Sequence, residues 1–480
     1  MRVADAAESR MNAAYALRAI LAGLLAVGMP ALAWAQREQG FVAVVPRTNA
    51  ETAPLNGTVF EPVVRVGQSL LAAGILPRIR FIDAFAANPF GGVSQGVDNS
   101  GVVTFGADVD MGRVAGVPGG MFHVGFAQLY GHELSTDHIG SRTKVQSFYY
   151  PKKQFEMTEL TYEQSFFGDT LNLLAGRANA TGEFARSTYG CRYENVADCP
   201  FELTQVVGGF PGFPYVNWGG RVRVAPTPYT YVKAGAYEIN SDRNRNSGFQ
   251  LGLEHSTGFV LPVEFGYGTS LANDPYPRHY KVGGWYNSAP YNDPVENTRG
   301  RSRALFGGKP LAYAGGRGGM YALADQVVWR GPDRRSLALF ASAAAPFDSK
   351  ELFAFQAVAG ALWTGPLPGR PDDQLAALGS FIRLSDREAS FLNGVLQRNG
   401  RPGRVARPGF VFELNYGYRI VPGAYLQPTL QYLVNPDTIS RTNVPFAPRD
   451  ALVVGLKFVL NVNELAGLPE QLIAGRRATD

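Results

Sequence analysis

The chain has 480 residues, 45% of them hydrophobic, with 56 Gly, 32 Pro and only two Cys. That hydrophobic share excludes intrinsic disorder, the cysteine count excludes a disulfide-dense mini-scaffold, and a formal charge of +5 is too small and dispersed for a nucleic-acid footprint. Charged residues at 18% and aromatics at 12% point to many short strands joined by turns.

The N-terminus reads as an export signal. Arg18 precedes an apolar run over 19–27, and Ala33-Trp34-Ala35 supplies the small residues read by signal peptidase. Cleavage is expected before Gln36, which makes 1–35 the signal peptide. Met11 is a cleaner start than Met1, because Asp5 and Glu8 are unusual ahead of such a run. Residues 36–77 read as a short periplasmic segment, with one helix over 61–75. No later apolar run approaches the ~20 residues of a spanning helix, which leaves transmembrane strands open. Export places Cys191 and Cys199 in an oxidising compartment where they can pair. Metal ligation by this pair is disfavoured, since no His or second Cys pair accompanies it.

From Arg78 to Asn461 the pattern has period two. Arg221 and Arg223 alternate with Val222 and Val224, and Phe410, Phe412, Leu414, Tyr416 and Tyr418 alternate with Val411, Glu413, Asn415, Gly417 and Arg419. Similar alternation runs over 280–286, 425–432 and 452–460. Tight connections (226–228, 421–423) alternate with long ones (179–217, 287–316, 385–408), the plan of an outer-membrane barrel. A soluble sandwich also alternates, with its apolar face inward. Aromatics near strand ends on the apolar face, and Arg, Glu, Gln and Asn on the other, favour the barrel. Sixteen or seventeen candidate strands are present, and even numbers are the rule in single-chain bacterial barrels. The expected fold is an all-β transmembrane antiparallel β-barrel of about sixteen strands over 78–461, in the bacterial outer membrane, followed by a tail over 462–480.

No catalytic signature stands out. Gly131-His132-Glu133-Leu134-Ser135-Thr136-Asp137-His138 resembles a zinc-protease helix, but its histidines are six apart rather than four and cannot share a helical face. Gly307-Gly308-Lys309-Pro310 fails as a phosphate loop because Pro follows the Lys. No cofactor or metal is implied, and a channel rather than an enzyme is expected. The better lead is the inward polar rows. Arg221 and Arg223 share one strand face, Glu159 and Glu163 share another, and Arg177 ends the strand 171–177. A sugar pathway needs bidentate donors, acceptors and aromatic platforms, with contacts weak enough for release. The same residues could equally line a solvated wall or pair with one another.

A family resemblance rests on several segments in order. Phe148-Tyr149-Tyr150-Pro151-Lys152-Lys153-Gln154-Phe155-Glu156-Met157-Thr158-Glu159-Leu160-Thr161-Tyr162-Glu163-Gln164 and Leu171-Asn172-Leu173-Leu174-Ala175-Gly176-Arg177 resemble the carbohydrate-selective outer-membrane porins of the OprB type. Trp218-Gly219-Gly220-Arg221-Val222-Arg223-Val224, Tyr280-Lys281-Val282-Gly283-Gly284-Trp285-Tyr286 and Leu430-Gln431-Tyr432-Leu433-Val434-Asn435-Pro436 are similar to the same family. The resemblance implies a sixteen-stranded barrel that passes monosaccharides by diffusion through a narrow eyelet. By position it implies Glu159, Glu163, Arg177, Trp218, Arg221 and Arg223 as eyelet residues. Replacing Arg221 and Arg223 by Ala is then expected to weaken sugar block with the barrel intact. The chain departs from the family pattern where Glu61 to Ile75 replaces an Asp-Trp-Gly-Gly signature, and where it runs on past the last strand over 463–480.

The expected partners are monosaccharide solutes, outer-membrane lipid and lipopolysaccharide, without nucleic acid; a homo-oligomer is left open. Two rivals remain: a general or anion-preferring porin on the same barrel, and a secreted β-rich glycoside hydrolase.

Overall fold

The computed structural model describes residues 61–470 and 472, apart from 148–154, 198, 200, 241–246 and 437–447. The expected signal peptide, 1–35, lies outside the described residues, as does the stretch 148–154 of the family-like segment.

Eighteen strands follow the helix Glu61–Ala72. They are β1 (Ile75–Gly92), β2 (Gly96–Asp110), β3 (Gly120–Gly131), β4 (Phe155–Phe166), β5 (Leu171–Ala178), β6 (Asn217–Val224), β7 (Thr230–Asn240), β8 (Ser256–Gly268) and β9 (Arg278–Asn287). Then come β10 (Tyr291–Asn297), β11 (Pro310–Tyr313), β12 (Arg317–Arg330), β13 (Ser336–Pro346), β14 (Phe353–Thr364), β15 (Gln374–Leu384), β16 (Pro408–Val421), β17 (Ala424–Val434) and β18 (Arg449–Asn461). Sixteen of them pair antiparallel with their neighbours and close on themselves, β1 against β18. The other two, β10 and β11, form a separate hairpin in the long connection between β9 and β12.

Alternation explains the closure. On β16 the outward Phe412 and Leu414 are exposed while Glu413 and Asn415 between them are buried. On β6 Val222 is exposed, while Arg221 and Arg223 point inward and are buried. An apolar outer face suits lipid, and a closed ladder leaves no strand edge unpaired. At one rim the connections are tight. Pro422 and Gly423 form the turn between β16 and β17, with Gly423 at φ 81°, as a type II turn requires. A Cβ on Gly423 would lie 2.4 Å from Asn461 O, so the position admits only glycine. Tyr229, Tyr267 and Tyr280 stack in a row at this rim, with centroids 6.3 and 6.2 Å apart, as interfacial aromatics do. The opposite rim carries the long loops, including the β10–β11 hairpin and the helix Asp386–Arg398. With short turns facing the periplasm, the long loops face outward from the cell.

Candidate functional site: a loop-lined constriction

The connection between β5 and β6, residues 179–216, folds into the barrel instead of standing above it. Crossing a lumen exposes peptide groups that must find partners. The inward polar residues of the wall supply them. Glu264 Oε2 accepts from Ala185 N (3.0 Å), and Asp325 accepts from Ser187 Oγ (2.7 Å) and Thr188 N (2.9 Å). Glu413 accepts from the N–H groups of Glu194 (2.8 Å) and Asn195 (2.7 Å), while Gln356 Oε1 accepts from Leu203 N (2.8 Å). Lys281 Nζ donates to Arg186 O (2.7 Å), and Lys457 Nζ pairs with Glu194 (2.9 Å). The Tyr193 hydroxyl reaches Ala361 O across the lumen (2.8 Å). Within the loop Cys191 and Cys199 are joined by a disulfide, Cα to Cα 4.9 Å. Phe184, Tyr189, Phe201, Leu203 and Phe210 pack with Tyr237, Trp285, Tyr321 and Phe340 of the wall, so this side of the lumen is filled.

Four of the six residues picked out by sequence face the lumen, and all four are engaged in ion pairs. Glu159 takes Arg78 Nη2 at 2.7 Å. Arg221 spans Glu163 (2.8 Å) and Glu183 of the loop (2.7 Å), and also donates to Asn172 Oδ1. His123 Nε2 lies 3.4 Å from Glu163 and its Nδ1 2.8 Å from Asp108. Arg223 pairs with Asp169 in the turn after β4 (2.5 Å). These groups brace the wall and anchor the start of the loop.

The register takes Arg177 and Trp218 elsewhere. Arg177 stands opposite Trp218, whose neighbours two and four residues on, Gly220 and Val222, belong to the outward face. Arg177, Trp218 and Glu238 thus form a row across the outside of β5, β6 and β7. Arg177 Nη1 lies 3.6 Å from Glu238, and its guanidinium 5.7 Å from the Trp218 ring centroid. Trp218 Nε1 donates to Leu251 O (2.8 Å), where the connection before β8 lies against the outer wall. Phe249 of that connection stacks on the outward Phe126 and Phe155, at 6.2 and 5.8 Å. Their assignment to the eyelet is therefore corrected: an odd separation along a strand, as between 218 and 221, puts two side chains on opposite faces.

Sequence reasoning missed another set of arginines. Arg80 points inward from β1, and Arg186 and Arg192 both sit on the first half of the loop. Among the described residues no acceptor lies within bonding distance of these three guanidinium groups. Arg80 is exposed to water, and the charges of Arg186 and Arg192 reach it. Phe213 of the loop and Tyr425 of β17 each pack against an inward cluster that includes Ile82, the next inward residue after Arg80. The readable signal was the loop itself, where Arg186 and Arg192 bracket Cys191.

Comparison with known proteins gives the same answer as the wall. The family model described as carbohydrate-selective porin, OprB family, matches residues 94–461. Porin B of Pseudomonas aeruginosa is 25% identical over 408 residues, covering 81% of this chain and 87% of that protein. A putative porin, QuiX, of Acinetobacter baylyi is 25% identical over 392 residues, covering 77% and 84%. The high-pH structure of Pseudomonas putida OprB shares the fold with a TM-score of 0.74 at 24% identity, over 82% of this chain and 96% of that one. A closed sixteen-strand barrel with a lipid-facing exterior, matched over most of its length by that family model, is an outer-membrane porin, and the chain belongs to the carbohydrate-selective OprB family.

Proposed function

We propose that this porin passes monosaccharides by passive diffusion, and that the selecting eyelet lies beside loop 179–216, at the inner wall around Arg80. The observation that carries the proposal is the contrast among the lumenal arginines. Arg78, Arg221 and Arg223 are neutralised by carboxylates, whereas among the described residues Arg80, Arg186 and Arg192 have no bonded acceptor for their guanidinium groups. Free guanidiniums bind vicinal hydroxyls in pairs, and Phe213 and Tyr425 offer a surface for the C–H face of a sugar. Contacts of this kind are individually weak, so the solute enters and still leaves. Glu159, Glu163, Arg221 and Arg223 act in this reading by holding the loop in place.

The same three arginines favour a second reading in which the solutes carry a carboxylate. Liposome-swelling rates for glucose and gluconate separate the two. Faster entry of glucose supports the neutral-sugar reading; entry of gluconate alone replaces it with an anion-preferring pore. Swelling with neither solute would remove both.

A further inference from the structure

The segment that follows β18, described as far as Leu472, turns back into the periplasmic mouth of the barrel. Asn461 caps the short helix Val462–Leu465, its Oδ1 accepting from Asn463 N (3.1 Å) and Glu464 N (3.4 Å). Asn463 then stitches the segment to β1. Its Nδ2 donates to Pro77 O (2.6 Å) and its Oδ1 accepts from Ile79 N (3.1 Å). Leu468 and Leu472 are buried with Leu76 and Met121, and Val64 and Leu71 of the helix Glu61–Ala72 pack on the same cluster. Leu76 and Met121 are inward positions, two residues along their strands from Arg78 and His123. Leu472 N donates to Asp108 Oδ2 (2.9 Å) on the same inner wall. A Cβ on Gly67 would lie 2.5 Å from Leu468 Cδ1, so the helix meets the segment closely and a larger residue there would make the Leu468 side chain shift. The family match ends at residue 461, the last of β18, so this segment lies outside what the family model describes.

The segment also carries charge into the passage. Asn461 stands opposite Arg80 in the β1–β18 ladder, and its Nδ2 donates to Glu470 Oε1 (3.1 Å). Opposite residues share a face, with Cβ atoms about 5 Å apart. Glu470 is therefore held beside Arg80, and its charge also reaches Arg186. Glu470 is itself exposed to water, as a group that a passing solute meets.

We propose that residues 462–470 and Leu472 are a built-in part of the pore, a plug that narrows the periplasmic mouth and presents Glu470 as a charge-selecting residue opposite the eyelet arginines. This rests on the barrel being a conducting pore, and not on which solute it favours. In planar bilayers, three forms of the full-length protein are compared: the unaltered chain, Glu470→Gln, and a deletion of residues 466–480. Glu470→Gln should leave the single-channel conductance nearly unchanged and shift the KCl reversal potential toward chloride selectivity. The deletion should raise the conductance and produce the same shift. Unchanged reversal potentials in both would overturn the proposal. Should the deletion not give a barrel that migrates faster unboiled than boiled, Glu470→Gln decides alone, because it removes a charge without touching Leu468 or Leu472. Loss of glucose block in the unaltered protein would sink the sugar reading and leave this one standing.

Discussion

Two kinds of arginine face the interior of this barrel, and they should answer mutation differently. Arg221 is buried between Glu163 and Glu183, and truncating it leaves two carboxylates without their partner. Breaking such a pair from one side costs about 3–5 kcal/mol, so Arg221→Ala is expected to lower the temperature at which the unboiled band is lost. Among the described residues Arg186 and Arg192 have no such partner. Their replacement by Ala should change stability by no more than about 0.5 kcal/mol, leave that temperature nearly unchanged, and weaken block by glucose. The ion pairs favour a bracing role for Arg221 and Arg223, which sequence alone does not give, because a strand pattern assigns a face but not a partner. The partner of Arg221 comes from a loop whose path the pattern does not contain.

At the level of elements, the loop over 179–216 is held by wall residues that receive its backbone. Glu413 accepts two N–H groups, from Glu194 and Asn195. Leaving both unpaired costs about 1–3 kcal/mol each, so Glu413→Ala should loosen the loop, raising the open-channel current and its noise. A conductance trace indistinguishable from the unaltered protein would count against the loop as the constriction. The outer hairpin β10–β11 gives a pH test. Burial pushes the Asp293 carboxyl upward, but Arg387, the N–H groups of Glu296 and Val295, and Tyr313 outweigh it and hold the group down at about 2. A depressed carboxylate contributes its stability above the ordinary Asp value of about 3.9 and loses it as pH falls through the folded value. Pepsin should therefore spare the hairpin at about pH 4 and cut it increasingly toward about pH 2. Equal cutting at both would contradict this account of Asp293. The strands themselves were legible in the sequence. Phe410 to Tyr418 alternate with Glu413 and Asn415 because one face meets lipid and the other an anchoring interior. The outward place of Arg177 and Trp218 is set by the register across β5, β6 and β7, which a family resemblance by position does not contain. The free state of Arg80, Arg186 and Arg192 was not legible at all, since it depends on where every carboxylate of the lumen is already committed.

For the whole molecule, near-neutral mean hydropathy and abundant Gly and Pro are the averages of one closed wall and its turns, not of several soluble domains. Sixteen strands leave a lumen wide enough for a channel, and the inward loop and the segment after β18 reduce it from two sides. Closure predicts that the protein extracted in detergent migrates faster unboiled than boiled. The central claim is that this reduced lumen binds sugar as it conducts. Single-channel conductance in planar bilayers, titrated with glucose, measures it directly. The account predicts discrete conductance steps that fall, and saturate, as glucose is added. Steps that ignore glucose at every concentration would contradict it.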